Sequence, residues 1–131
     1  MKLETPNKSI NKSSKELYEF LEDVKNFEKL MPENISKFEI LGEDKFLFAL
    51  KGMPEIVLKM KEKTPYSKLV LGSASDKVPF TLTANINEVS ESTSEVNLVF
   101  EGEFNAMMGM MIKGPITNFI NTLSDNMTKT V

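Results

Sequence analysis

Two polar residues could do chemistry if the fold turned them inward, Glu62 and Tyr66. Glu62 stands in phase with Ile56, Leu58 and Met60 in a run of alternating residues, so continued alternation aims its carboxylate to the same side as those apolar side chains. A carboxylate removed from water holds its proton more tightly and becomes a candidate acid or base. Solvation at a strand end is the commoner outcome, because unpaired carboxylates are seldom buried. Tyr66 lies in the turn Thr64-Pro65-Tyr66-Ser67, where its hydroxyl could meet the polar end of a ligand, although a partly exposed ring with a wet tip is the ordinary result. Both are candidate polar anchors, and no residue is assigned a catalytic role.

Other chemistries are excluded by composition. The 131 residues contain no Cys and no His, which removes thiolate nucleophiles, disulfides, thiolate metal sites and the usual general base near neutral pH. The acidic pair Glu43-Asp44 lacks further oxygen ligands at a calcium-loop spacing and reads as a solvated hairpin tip. Neither a phosphate-cradling glycine loop nor a hydrolase serine motif occurs, so no metal and no cofactor is expected. Lys59, Lys61 and Lys63 form a row, with Lys51 and Lys68 near in sequence, that suits a solvated strand face discouraging edge pairing. With 16 basic residues, all Lys, against 19 acidic ones, the net charge of −3 gives no positive field for nucleic acid or an anionic membrane. The first residues, MKLETPNKSINKSS, carry no apolar segment and no run of 18 apolar residues follows. Neither a signal peptide nor stable membrane insertion is expected, and the default location is cytoplasmic.

The strongest pattern lies in the last quarter, FNAMMGMMIKGPITNFINTLSDNM. Met108, Met111, Ile112, Ile116, Phe119, Ile120, Leu123 and Met127 recur in steps that place them on one side of a helix. Asn105 is placed to cap it, and about 24 residues at 1.5 Å each give roughly 36 Å, enough to cross a sheet. Pro115 inside the pattern predicts a kink or a restart. Beyond Pro115 the pattern is amphipathic; before it, AMMGMMI is apolar all round, so that segment should be covered on every side or stand beside a cavity. Met107, Met108, Met110 and Met111 are flexible and polarizable, and they fit either a promiscuous apolar pocket or an irregular core gap.

The rest of the chain supplies a scaffold for that helix. A chain of this length fits one domain, 1–131, with one core. Residues 2–10 read as a strand broken or bulged at Pro6. Ser13 and Glu16 form a capping box ahead of Leu17, Phe20, Leu21, Val24, Phe27 and Leu30, one or two short helices over 14–31 broken near Asp23, with Phe20 and Phe27 turned to the core. From Ile35 to Glu103 the period falls to two: strands around Phe38, Phe46, Leu58, Leu69, Phe80 and Leu98 follow one another, separated by Gly42-Glu43-Asp44, Gly52-Met53-Pro54, the Tyr66 turn, a loop over 74–79 and Glu91-Ser92-Thr93. Short turns make the sheet an antiparallel meander with one dry face for helices to cover, an α+β architecture.

This order of elements resembles the helix-grip fold of the START-like and birch-pollen-allergen-like superfamily (SRPBCC), including its polyketide cyclase/dehydrase-like branch. The carriers are KSSKELYEFLEDVKNFEKLMP at 12–32, NINEVSESTSEVNLVFEGEF at 85–104 and the methionine-rich helix with GPITNFINTL at 114–123. The resemblance implies a curved seven-stranded antiparallel sheet wrapped around the long C-terminal helix, with an elongated apolar cavity between them. It places Met108, Met111, Ile112, Ile116 and Phe119 on one wall, and Phe46, Phe48, Leu58, Met60, Leu69, Leu71, Phe80, Leu82, Leu98 and Phe100 on the other. Such proteins bind lipids, isoprenoids or polyketides, so the implied partner is a small hydrophobic molecule and the first expectation is a non-enzymatic binder. A cyclase or dehydratase using Glu62 or Tyr66, and a protein-interaction module of the chaperone-regulator type, are the alternatives.

Overall fold

The computed structural model describes residues 1–53, 55–74 and 80–131. Strands β1 (Lys2–Glu4) and β2 (Lys8–Ile10) are two pieces of one interrupted edge, both antiparallel to the last strand, β8 (Ser94–Gly102). Pro6 cannot donate to a ladder, and the chain repairs the gap with the residue before it. The Thr5 N–H donates to the Leu98 carbonyl at 2.9 Å, and the buried Thr5 hydroxyl accepts from the Leu98 N–H at 2.9 Å.

Two short helices follow. The Ser13 hydroxyl accepts from the Glu16 N–H at 3.1 Å and donates to the Glu16 carboxylate at 3.2 Å, starting α1 (Ser14–Glu22). At Asp23 the chain leaves the helix, and the Asp23 carboxylate accepts from the Lys25 N–H to begin a 3₁₀ turn, Val24–Asn26, that runs into α2 (Phe27–Leu30). Leu17, Leu21, Val24, Phe27 and Leu30 are all buried by this arrangement, whereas Phe20 stays half-buried under the Lys29 ammonium.

The remaining strands are β3 (Ile35–Gly42), β4 (Lys45–Leu50), β5 (Ile56–Thr64), β6 (Lys68–Ser73) and β7 (Phe80–Glu88). The sheet order is β1-β8-β7-β6-β5-β4-β3, every neighbour antiparallel, so the expected meander holds, with its first strand split in two. Irregular register in β3 and in β5 supplies the local extra twist that bulges produce. Of the turns expected from sequence, Pro54 and residues 75–79 lie outside the described residues.

The bulge in β5 decides the fate of Glu62. Met60 pairs with Leu71, but the next aligned pair is Glu62 with Val70, so Lys61 is the extra residue and the alternation changes phase there. Gly72 accommodates the bulge: a Cβ at that position would come within 2.8 Å of the Lys61 side chain, whose stem lies against it. Glu62 consequently leaves the phase of Met60 and is exposed, with the Lys68 ammonium 4.0 Å from its carboxylate. The same slip takes Lys63 out of the expected lysine row and sets it 3.2 Å from Asp44.

Helix α3 (Ala106–Thr130) starts at Asn105, whose side chain accepts from the Met108 N–H at 2.8 Å, and continues as one helix through Pro115. No restart occurs at the proline. The carbonyl robbed of its donor belongs to Met111, which is 69% exposed, so water can reach it. Ile116, Phe119, Ile120, Leu123 and Met127 are buried on the sheet, and the Asn126 amide donates to the Leu30 carbonyl at 2.8 Å, joining the end of α3 to the end of α2. The half before Pro115 departs from the expected all-round cover: Met107, Met110 and Met111 are 74%, 83% and 69% exposed. Helices α1 and α2 cover the other end of the dry face, α1 against β6, β7 and β8 and α2 against α3.

Replacing Thr5 by Val keeps the shape of the side chain and strips the Leu98 N–H of its partner. Loss of about 1–3 kcal/mol in urea unfolding is the expected outcome; an unchanged midpoint would mean that water replaces the hydroxyl.

Candidate functional site

Where α3 lifts its methionines off the sheet, the concave face is hollow. A cavity of about 580 Å³ lies between the first half of α3 and strands β4, β5, β7 and β8. Its floor is Phe48 from β4, Ile56 and Leu58 from β5, Phe80 and Leu82 from β7, and Phe100 from β8. Met107, Met108, Met111, Ile112, Ile116 and Phe119 form its roof. Aromatic contacts brace the two ends: Phe48 stacks on Phe119 with centroids 4.9 Å apart, and Phe100 stands between Phe80 at 5.2 Å and Phe104 at 6.0 Å. Gly102 permits the second cluster, because a Cβ there would fall 2.8 Å from both the Phe104 ring and Phe80.

Ten of the fifteen wall residues expected from the resemblance line this space: Phe48, Leu58, Phe80, Leu82, Phe100, Met108, Met111, Ile112, Ile116 and Phe119. The other five pack elsewhere. Phe46 sits among Phe27, Phe38 and Phe48, with centroids 5.3–6.0 Å apart. Leu69, Leu71 and Leu98 meet Leu123 and Met127 around a void of about 10 Å³, scarcely the size of one water, and Met60 is buried opposite Leu71. All five point to the dry face, but to the end of it that α1, α2 and the second half of α3 fill. Alternation fixes the face of a strand residue without saying how far along the strand the cover is tight.

Sequence reasoning passed over Gly52, Met53, Glu55, Ile56, Val57, Ser73, Phe104 and Asn105 as wall residues, and placed Met107 among the pocket-forming methionines without assigning it to a wall; all of these also border the cavity. Ile56 had a usable signal, its phase with Leu58. Phe104 had none, since it follows the last strand and reaches the cavity only by folding back over Gly102.

The two candidate polar anchors do not converge here. Glu62 is displaced by the β5 bulge, and Tyr66 is 43% exposed with its ring edge-on to Tyr18 at 5.5 Å. Burial, with the Glu22 carboxylate next, pushes the Tyr18 phenol above its ordinary value, so that hydroxyl keeps its proton. The carboxylate that does border the cavity, Glu55, accepts a hydrogen bond from the Lys37 ammonium at 2.9 Å. That bond, and then the charge behind it, raises the Lys37 pKa, and the pair neutralises the rim. Asn105 is already committed to capping α3. Among the described residues no group of three or more acidic, His or Cys side chains could hold a metal, and no helix is long and apolar enough to cross a membrane.

A curved antiparallel sheet gripping a long terminal helix, with short helices after the first strands, is the START-like, birch-pollen-allergen-like helix-grip fold. Solved structures agree across nearly the whole chain. Norcoclaurine synthase from Thalictrum flavum superposes with a TM-score of 0.75 at 12% identity, over 98% of this chain and 86% of that one. A START superfamily protein from Mycobacterium smegmatis gives 0.72 at 10% identity, over 99% and 96%. A conserved protein from Geobacillus kaustophilus gives 0.70 at 14%, over 98% and 93%. No family model and no curated protein sequence matches this chain, so the likeness is one of fold.

The two halves of α3 should respond differently to truncation. Phe119→Ala, at a buried stacked ring, is expected to cost about 3 kcal/mol or more, and Met111→Ala, at an exposed side chain, to stay within about 0.5 kcal/mol in denaturant unfolding. Comparable losses would mean that the methionine half is structural.

Proposed function

We propose that this chain binds a small hydrophobic molecule, of lipid, isoprenoid or polyketide-like character, in the cavity between the sheet and the first half of α3. The observation that carries the reading is the cavity itself: about 580 Å³, within the range usual for small-molecule sites, with an almost wholly apolar lining. A ligand losing roughly 400 Å² of apolar surface would gain about 10 kcal/mol before costs. After at least ~4 kcal/mol for lost freedom of motion, about 6 kcal/mol at most remains, an affinity no tighter than roughly tens of micromolar. With few polar groups available to fix orientation, selectivity rests on shape, and the methionine roof adapts to several shapes.

The same fold in norcoclaurine synthase, solved in complex with dopamine and hydroxybenzaldehyde, keeps an enzymatic reading in view. Against it stand the outward placement of Glu62 and Tyr66 and the ion pairing of Glu55. What remains for catalysis is positioning alone. The exposed methionines, which would suit a protein-interaction surface, border the cavity at Met107, Met108 and Met111 and serve this reading as its adaptable rim.

Methionine reactivity separates these readings residue by residue. Under mild peroxide, an apolar ligand at saturation should protect Met107, Met108 and Met111 from sulfoxide formation, while Met110, 83% exposed and outside the cavity lining, keeps reacting. Peptide mass spectrometry reads the pattern. The proposal fails if no member of a panel of fatty, isoprenoid and polycyclic compounds alters it, or if all four methionines are protected alike.

A further inference from the structure

A second concave space, of about 480 Å³, opens on the other side of the turn that follows β4. It is bordered by Pro32 and Asn34, by Leu50–Met53 and by α3 from Gly114 to Thr122, and it shares Gly52, Met53 and Phe119 with the apolar cavity. The two spaces therefore meet across one short turn. The Met53 N–H donates to the Leu50 carbonyl at 2.9 Å, closing a β-turn in which Gly52 holds a φ of 84°, the left-handed conformation that glycine adopts without strain. Glycine leaves no side chain at the junction, and the half-buried Met53 is the flexible thioether beside it.

The chemistry of the second space is different. Asn34, Lys51, Asn118 and Thr122 line it, and none of these side chains has a hydrogen-bond or ion-pair partner among the described residues. Asn118 and Thr122 are four apart on α3 and so share a face. Asn34 is held beside the turn because its carbonyl accepts from the Lys51 N–H at 2.8 Å. Lys51 is the one cation bordering either space among the described residues; Glu55, the carboxylate next to the apolar cavity, is engaged by Lys37.

We infer that the ligand class is a long-chain carboxylate, its hydrocarbon tail in the apolar cavity and its carboxylate in the groove of Asn34, Lys51, Asn118 and Thr122. The inference rests on the binding function proposed above and adds the polar end of the molecule. The tail passes Gly52 and Met53. The carboxylate accepts from the Lys51 ammonium in a charge-assisted bond, and from the two amides and the hydroxyl, while an uncharged ester retains only the weaker bonds to its carbonyl. A cationic head meets the wrong charge.

Calorimetric titration at pH 8 with laurate and with methyl laurate tests this. Laurate should bind about tenfold more tightly than its ester. Lys51→Gln should remove that preference by weakening laurate alone, Lys51→Arg should keep it, and Lys25→Gln, the same charge change at a lysine that lines neither space, should alter neither ligand. Equal binding of acid and ester, or equal effects of the Lys51 and Lys25 substitutions, overturns the carboxylate assignment and leaves the apolar cavity's role standing. If neither laurate nor its ester binds the unsubstituted protein, the assignment fails for this ligand class, and the binding function itself then fails only if the broader apolar panel is also silent.

Discussion

One concave sheet face must be kept from water, and the apolar cover available to it is unevenly distributed. The second half of α3 brings Ile116, Phe119, Ile120, Leu123 and Met127 down on it, and α1 with α2 adds Leu17, Leu21, Val24, Phe27 and Leu30. Those side chains interdigitate until only a void of about 10 Å³ is left at their meeting point. The first half of α3 brings flexible thioethers that do not reach the floor, and the cavity of about 580 Å³ is the shortfall. Ile116 and Phe119, just beyond Pro115, belong to both sides, buried on the sheet and bordering the cavity. The polar tie from Asn126 to Leu30 belongs wholly to the tight side, so docking of the helix does not depend on filling the hollow side.

This division explains what the amino-acid pattern could reveal. Strand alternation is a local property, and it placed Phe46, Leu58, Leu82 and Phe100 on the dry face because a residue's face depends on its immediate neighbours. Whether a dry-face residue meets a packed core or an empty space depends on which helix turn lies above it. Phe46 and Phe48, two apart on one strand, differ in this respect: the first is enclosed by aromatic rings and the second borders the cavity. No local pattern carries that difference. Helix caps at Ser13 and Asn105 were legible for the opposite reason, since each is a short-range hydrogen bond between residues three apart.

Two readings that the pattern left open were decided by features outside it. Continued alternation would aim Glu62 inward only if β5 kept one phase along its length, whereas an extra residue at Lys61, its side chain against Gly72, resets the phase and leaves Glu62 exposed, the commoner outcome for a strand-end carboxylate. The all-apolar AMMGMMI segment implied cover on every side or a cavity beside it; the cover is missing, because a helix with a narrow contact on the sheet leaves much of its circumference to solvent, and the cavity is there. Exposed methionines cost little enough to be tolerated singly. Three of them within two helical turns above an open apolar space make a surface that gains from company.

The balance between the two adjoining spaces follows from the turn that separates them. The turn closed between Leu50 and Met53 is short because Gly52 takes a left-handed conformation, and it is tied sideways through the Lys51 N–H to Asn34. Phe119 faces both spaces from α3 while stacking on Phe48, so its ring is anchored against the tight core and forms a fixed wall at the junction. The movable parts are then Met53 and the thioethers of the roof, all unbranched and able to change rotamer without disturbing the backbone. An elongated amphiphile suits that geometry better than a compact one, because only a molecule reaching across the turn meets both an apolar lining and an unpaired cation.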